Sequence, residues 1–418
     1  MARSITIPGR SSLGAVLGRQ STSRVAITAV VLAVILYPFV DPSTGDIDVA
    51  VYAFVNVLLA LGLNVVVGYA GLLDLGYGAF FAIGAYSLAM LASAHFAVNG
   101  HSVSNPLLSF GPNGIHVAFF LMIPIAALVA ASFGVLFGAP TLRLRGDYLA
   151  IVTLGFGEIV PKAIANLGPD NSFGWPDITG GVNRITGIDS PPDLHVGALH
   201  ASFQGSDLRP WYFLGFFFIV LTVIIISSLR RSRLGRAWSA IREDEIAAAH
   251  MGVNITRTRL LAFGLGAAFS GFAGVLEASR IGSIDYTQFS FDISIRILVM
   301  VILGGMGSIP GVMLGAIIIS YLDLTWLQDI NNGLHQLGVQ LHAGPSVVGD
   351  FGTWLANVNL ASAHPLIFGL ILLLIMLLRP QGLWPSKTRA RELRPETARV
   401  LAEENQDLYA TRSEPADG

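Results

Sequence analysis

Apolar runs separated by short polar stretches set the pattern of this chain. Ten runs can be marked, at about 25–40, 49–67, 75–97, 117–139, 148–166, 211–229, 260–279, 293–303, 308–322 and 366–378. Most carry few or no charges and have the length that crosses a hydrocarbon core about 30 Å thick. The stretch 293–322 is long for one span and short for two, and "LGGMGSIPG" inside it predicts two short segments meeting at a turn. The expected fold is an all-α, polytopic transmembrane helix bundle of about ten spans, some of the helices broken or short.

Charge supplies the orientation. Only 12% of the residues are charged, against roughly 25% in a typical soluble domain. The arginines gather in the N-terminal segment, at 143–145, in 230–259 and after 379, whereas 97–116 and 323–364 hold no Lys or Arg. The segment 167–210 has only Arg184 and Arg209 against five Asp. By the positive-inside rule, ten crossings from a cytoplasmic start put every arginine-rich piece inside; nine would put the tail on the wrong side. Both termini are thus expected in the cytoplasm. The expected organisation is a cytoplasmic segment 1–24, a transmembrane domain 25–385 with outer loops 97–116, 167–210 and 323–364, and a polar cytoplasmic tail 386–418. The arginine-rich start and first apolar run resemble a signal sequence, but no small-x-small site follows, so 25–40 reads as a retained span. Trp211 and Trp384, next to span ends, read as interface anchors.

Composition removes other function classes. A net charge of −2 gives no reason to expect a nucleic-acid partner, and with no cysteine there is neither a disulfide framework nor a Cys zinc site. No G-x4-G-K-[ST], H-E-x-x-H or G-x-S-x-G occurs, so nothing argues for an enzyme, a catalytic residue or a metal centre. His195 and His200 read as surface histidines.

Most of the 46 glycines, among them Gly134/Gly138 and Gly307/Gly311/Gly315, fit close helix packing in lipid. Two stretches ask for more: "GYAGLLDLGYGAFFAIGAY" from Gly68 and "LGGMGSIPGVMLGA" from Leu303 each set a glycine-rich break between apolar runs. Such breaks are tolerated where they line a cavity. Gly71, Asp74 and Gly76, with Gly304, Gly305 and Gly307, are therefore candidates for a substrate path. Asp74 either faces that path or caps the helix starting near Leu75. Glu158, Glu277 and Arg296 are further polar intruders that line a path or pair with each other or with a partner chain; Glu158 joins the path candidates.

The stretch "LGRAWSAIREDEIAAAHMGVN" (234–254) is polar between two oily runs. Its acids suit a helix start, its alanines propagate a helix, and Gly252 suits the stop. The expected element is a short cytoplasmic helix of about nine residues, defined enough to transmit force. A solvated connector is the plainer alternative.

This stretch, with "VVVGYAGLLDLGYGAFFAIGAY", "LRLRGDYLAIVTLGFGEIVP", "LVMVILGGMGSIPGVMLGA" and "RPQGLWP", resembles the branched-chain amino-acid ABC transporter permeases of the LivM type, over about 49–385. The resemblance implies a multi-pass subunit of a prokaryotic cytoplasmic membrane, in contact with lipid. It also implies a second permease of the LivH type, two cytoplasmic ATPase subunits that bind ATP and Mg, and an extracytoplasmic solute-binding protein. This chain would need no cofactor of its own. The ATPase contact carries over onto 236–254, with Arg236, Arg242, Glu243, Asp244, Glu245, Ala247, Ala248 and Gly252. The generic permease signature E-A-A-x-x-x-G is met by Ala247, Ala248 and Gly252, but Ile246 stands in the glutamate place. Thr179, Gly180 and Asn183 keep a family-like "TGG-x-N" and join the path candidates. The outer loops depart from the family pattern. A urea or short-amide importer is the nearest alternative; an ATP-independent carrier or channel is the alternative from another class.

Overall fold

Every apolar run carries a helix. The computed structural model describes residues 31–40, 43–96, 103–105, 107–142, 147–169, 174, 177–196, 199–205, 207–342, 353–354, 357 and 363–385. Along it run α1 (Val31–Val40), α2 (Thr44–Leu63), α3 (Tyr77–Leu91), α4 (Phe119–Thr141), α5 (Asp147–Asn166), α6 (Arg209–Arg231), α7 (Arg233–Glu243), α8 (Glu245–His250), α9 (Ile255–Ile281), α10 (Phe291–Gly304), α11 (Ile309–Tyr321), α12 (Leu327–His342) and α13 (His364–Leu378). Six helical stretches among the described residues are long and apolar enough to cross a membrane; α1, α3 and α13 are shorter apolar helices. Segments 1–24 and 386–418, and the arginines at 143 and 145, lie outside the described residues.

Burial sorts centre from rim. In the most apolar window of α2 and its continuation 89% of residues are buried, and in α9 72%, against 28% in α4. So α2 and α9 form the axis, and α4, α5 and α6 turn apolar faces outward. Lipid offers no hydrophobic drive between helices, so contact depends on small residues that let backbones approach. A side chain on Gly84 of α3 would overlap the backbone of Gly271 on α9, and one on Gly134 of α4 would overlap Ala267. Gly304, Gly311 and Gly315 do the same work inside the α10–α11 hairpin.

Several expectations need correction. The fold is not purely helical. After α3 the chain turns into β1 (Ala92–Ser93), which joins β2 (Val103–Ser104), β3 (Leu108–Gly111) and β4 (Gly114–Val117) in an antiparallel sheet of order β1-β4-β3-β2. The expected span 75–97 is thus a 15-residue helix followed by a strand. Two short pairs follow, β5 (Ile185–Thr186) with β8 (Ser283–Ile284) and β6 (Leu194–Val196) with β7 (Leu199–Ala201). His195 and His200 are register partners in the last pair. Nor does 323–364 begin as a loop: a π-helical turn, Leu322–Trp326, carries α11 on into α12. Trp211 is no interface anchor; it is buried and donates from Nε1 to the Phe203 carbonyl at 3.1 Å.

The polar parts collect at two ends. One end holds α7, α8, both glycine-rich breaks and the segment after α13. The other holds the sheet and the segment 177–189, where Asp189 N donates to the Ala92 carbonyl (2.9 Å) and Ile188 N to that of Gly282 (3.2 Å).

Candidate functional site

The helical loop between α6 and α9 is built from its own side chains. Ser232 opens α7 and is its N-cap. Trp238 is fully buried and donates from Nε1 to the Thr258 carbonyl at 2.7 Å, pinning α7 onto the start of α9. Asp244 is extended and breaks the helix. Its Oδ1 accepts from Ile246 N (2.8 Å) and Ala247 N (2.9 Å), satisfying the orphan donors of α8. Gly252, at φ 83°, follows the last turn in the left-handed region where glycine is favoured. The expected single helix of about nine residues is therefore corrected to two, of 11 and six residues, hinged at Asp244. Glu245 is drawn back by a two-pronged pair with Arg259, at 3.1 and 2.8 Å. Arg236 donates to the Arg231 carbonyl (2.9 Å), Glu243 and Ala247 are exposed, and Ala248 is buried. Two apolar side chains stand out among the exposed ones: Ile246 is 71% and Met251 84% exposed.

Arg242 joins the loop to the bundle. Its Nη1 donates to the Gly68 carbonyl at 2.7 Å. Gly68 lies in the π-helical turn Asn64–Tyr69 that ends α2, and a β-carbon on Gly71 would meet Arg242 Cγ at 3.0 Å. From the same turn, fully buried Asn64 accepts from Gly307 N at 2.8 Å. A side chain at Gly68 would overlap both Asn64 and Gly307 N. The loop, the first break and the second break thus form one connected set.

The remaining predicted residues have definite places. Asp74 is buried. Its Oδ1 accepts from Gly76 N at 2.9 Å, while Oδ2 has no hydrogen-bond partner among the described residues. It caps the turn before α3 and not the helix itself, whose N-cap is Gly76. Gly76 lies against the Thr153 carbonyl of α5, and Thr153 Oγ1 accepts from Leu75 N at 3.0 Å. Gly304 and Gly305 are covered by the segment after α13: Leu383 N donates to the Leu303 carbonyl (2.8 Å) and Trp384 N to that of Gly304 (3.0 Å). Thr179 donates to the Ile164 carbonyl at 2.6 Å, and Gly180 N to Asp177 Oδ1 at 2.8 Å. Asn183 N closes the turn on the Gly180 carbonyl at 2.9 Å. Glu158 pairs with Lys162 one turn on, at 3.2 Å on the outward face of α5, and meets neither Arg296 nor Glu277.

A second constellation, at the sheet end, was only half visible in the sequence. Arg296 Nη1 donates to the Tyr52 hydroxyl (2.7 Å) and to Asp323 Oδ2. His364 Nδ1 lies 3.3 Å from Asp323 Oδ1. Arg280 bridges Glu277 (3.0 Å) and Asp48 (2.5 Å). Asp48, Tyr52, Asp323 and His364 had not been singled out. The signal was there: an arginine inside a span demands a partner, and the walk through the topology places Asp48 and Asp323 at the same end. Beside these groups lies a cavity of about 240 Å³, lined by α2, α3, α9 and α10. Glu158 and the candidates in the two breaks and at 179–183 do not line it, whereas Glu277 and Arg296, the other two polar intruders, do.

The residues that carry the family resemblance are thus also those that knit the loop to the breaks. A family model described as "Branched-chain amino acid transport system / permease component" matches residues 47–379. The chain belongs to this family. The LivM proteins of Salmonella typhimurium and Escherichia coli K12, named high-affinity branched-chain amino acid transport system permease proteins, are each 36% identical over 389 residues. These alignments cover 89% of this chain and 77% of each relative. The LivH protein of Salmonella typhimurium is 26% identical over 266 residues, covering 64% of this permease and 80% of LivH. No solved structure matches the permease.

Proposed function

We propose that this chain is one of the two permease subunits of an ABC importer for branched-chain or related amino acids. It works in a prokaryotic cytoplasmic membrane with ten spans and both termini inside. A LivH-type permease completes the membrane core, two ATPases bind ATP and Mg on the cytoplasmic side, and a solute-binding protein delivers solute from outside. The observation that carries the reading is α8. A capped, hinged helix projecting Ile246 and Met251 beyond a polar loop has the form of a knob for a partner's groove, which a solvated connector does not need. The family and the names of the relatives supply the solute class.

The mechanism follows from the connections. ATP binding draws the ATPases together and moves α7 and α8 with them. Trp238 makes the pair move as a unit with the start of α9, and Arg242 pulls the turn Asn64–Tyr69. A π-helical turn is a weak point in a helix. It yields there, α2 and α3 shift at the first break, and Asn64 carries the shift to the second. The bundle then opens at the sheet end to take solute from the binding protein. Gly71, Asp74, Gly76, Gly304, Gly305 and Gly307 serve this movement, while Thr179, Gly180 and Asn183 shape the outer rim.

The test is uptake of labelled leucine by vesicles holding the full set of subunits, with and without internal ATP. Uptake that needs both ATP and binding protein supports the reading. ATP-dependent uptake of urea but not leucine would replace the solute; uptake indifferent to ATP would replace the mechanism by a carrier or channel.

A further inference from the structure

The cavity at the sheet end joins two features that seldom occur together. Val55, Leu59, Phe81 and Ile293 give it apolar walls, and Glu277 and Arg296 place one charge of each sign on its lining. A free α-amino acid has that same pattern: a carboxylate and an ammonium, both ionised near pH 7, on an apolar side chain. Neither charge can leave water without a partner. We infer that this cavity is a transit site for the amino acid inside the membrane core, with Arg296 taking the carboxylate, Glu277 the ammonium, and the apolar walls the branched side chain. The inference rests on the importer reading above and adds the place where the solute is held.

Donor and acceptor capacity fits. Arg296 makes both of its hydrogen bonds through Nη1; Nε and Nη2 have no partner among the described residues. Those two nitrogens form one edge of the guanidinium fork, the edge a carboxylate engages bidentately. Each oxygen of Glu277 accepts one bond from Arg280 and retains capacity for another. The position fits as well. Glu277 is on the last turn of α9, and Arg296 lies in the half of α10 that precedes the second break, so the site faces the end that would receive the binding protein.

The standing ion pairs explain why the site releases its solute. When the cavity empties, Arg296 keeps Asp323 and Glu277 keeps Arg280, so no charge is left stranded. A conduction site must bind well enough to admit and weakly enough to pass on. Shared, pre-paired charges provide that balance.

The experiment uses the complete transporter in ATP-loaded proteoliposomes, with co-purification of all subunits as the control for folding. Arg296→Gln and Glu277→Gln should each lower leucine uptake at least about thirtyfold, the scale of losing one partner of a buried charged pair. Arg296→Lys, which keeps the charge but not the fork, should recover part of that loss. Arg296→Gln also takes the arginine partner from Asp323, so a variant that leaves the ion pairs alone is needed. Gln288→Trp narrows the cavity and should lower the leucine-to-valine uptake ratio about tenfold, the discrimination one methylene gives in an apolar pocket. If wild type imports leucine but the assembled Glu277→Gln and Gln288→Trp variants keep its rate and its ratio, the transit site is refuted and the importer reading stands. If wild type imports no leucine, that reading fails and takes the site with it.

Discussion

The two glycine-rich breaks lie at the same end of the bundle and touch through Asn64 and Gly307, yet they are held in different proportions by side chain and by backbone. The first, residues 70–76, is kept largely by side chains: Arg242 reaches the Gly68 carbonyl just before it, Thr153 of α5 accepts from Leu75 N, and Asp74 within it accepts from Gly76 N. The second, residues 305–308, is kept mostly by backbone, with the Asn64 side chain accepting from Gly307 N beside it. Leu383 and Trp384 lay their amides on the carbonyls of Leu303 and Gly304, and Gly382 sits against Gly305. A backbone clamp with no room for side chains has one arrangement. A break held by side chains on another element moves when that element moves. The first break is therefore the working joint and the second its anchor.

Glycine replacements sharpen that contrast and carry the largest expected effect. Gly305 has φ 112° and would press a β-carbon onto the Trp384 carbonyl at 2.9 Å. Gly305→Val adds backbone strain to overpacking, together about 3 kcal/mol or more, and should abolish the folded protein in detergent gel filtration. Gly71 also has a positive φ, 69°, but is exposed, and its nearest neighbour is the flexible stem of Arg242. Gly71→Ala should cost about 1–2 kcal/mol, leave a monodisperse protein and lower uptake. Equal loss of folded protein in both variants would erase the distinction between joint and anchor.

Arg242→Ala comes next. It removes a charge-assisted hydrogen bond worth about 1.5–3 kcal/mol at the joint and touches nothing in the anchor. Folding and ATPase assembly should survive, while leucine uptake per ATP hydrolysed falls about tenfold, which is about 1.4 kcal/mol of coupling. Asn64→Ala breaks the same line one step further on, leaving the buried Gly307 N without an acceptor, and should cost about 1–3 kcal/mol in stability. If both residues lie on one path, the double variant should couple no worse than Arg242→Ala alone. Additive losses in uptake per ATP would mean that two independent paths feed the breaks.

Much of this architecture is legible along the chain because its causes are local. Apolar run length specifies helices, the acids before "IAAAHM" and Gly252 after it specify α8, and clustered glycines mark the breaks. What stayed hidden depends on residues far apart. Arg280 and Asp48 are 232 positions apart and Arg242 and Gly68 are 174. Nothing in either neighbourhood names the other. The sheet after α3 was missed because its strands are two to four residues long, too short for an alternation to show. The continuation of α11 was missed because Asp323 reads as a loop start, whereas Arg296 and Tyr52 engage its Oδ2 inside the bundle. Asn64, like Asn56, did carry a signal: an amide in an apolar helix must find a partner.

The smallest expected effect is at α8, and it tests whether the joint is driven from outside. Asp244→Ala removes the cap of a six-residue helix, worth about 1 kcal/mol. Trp238, Arg242 and the Glu245–Arg259 pair lie outside this cap, so α7 and the joint should keep their geometry. Uptake per ATP should then fall only about two- to fivefold, as α8 frays within an otherwise intact loop. Gly252→Pro strikes the other end of α8, since proline cannot adopt φ 83°, and should act more strongly. Reversing the charges of Glu243, Asp244 and Glu245 together should likewise uncouple hydrolysis from uptake while the protein stays in the membrane. If all three changes leave uptake per ATP unaltered, α8 is a connector, and the force on the first break enters through some other surface.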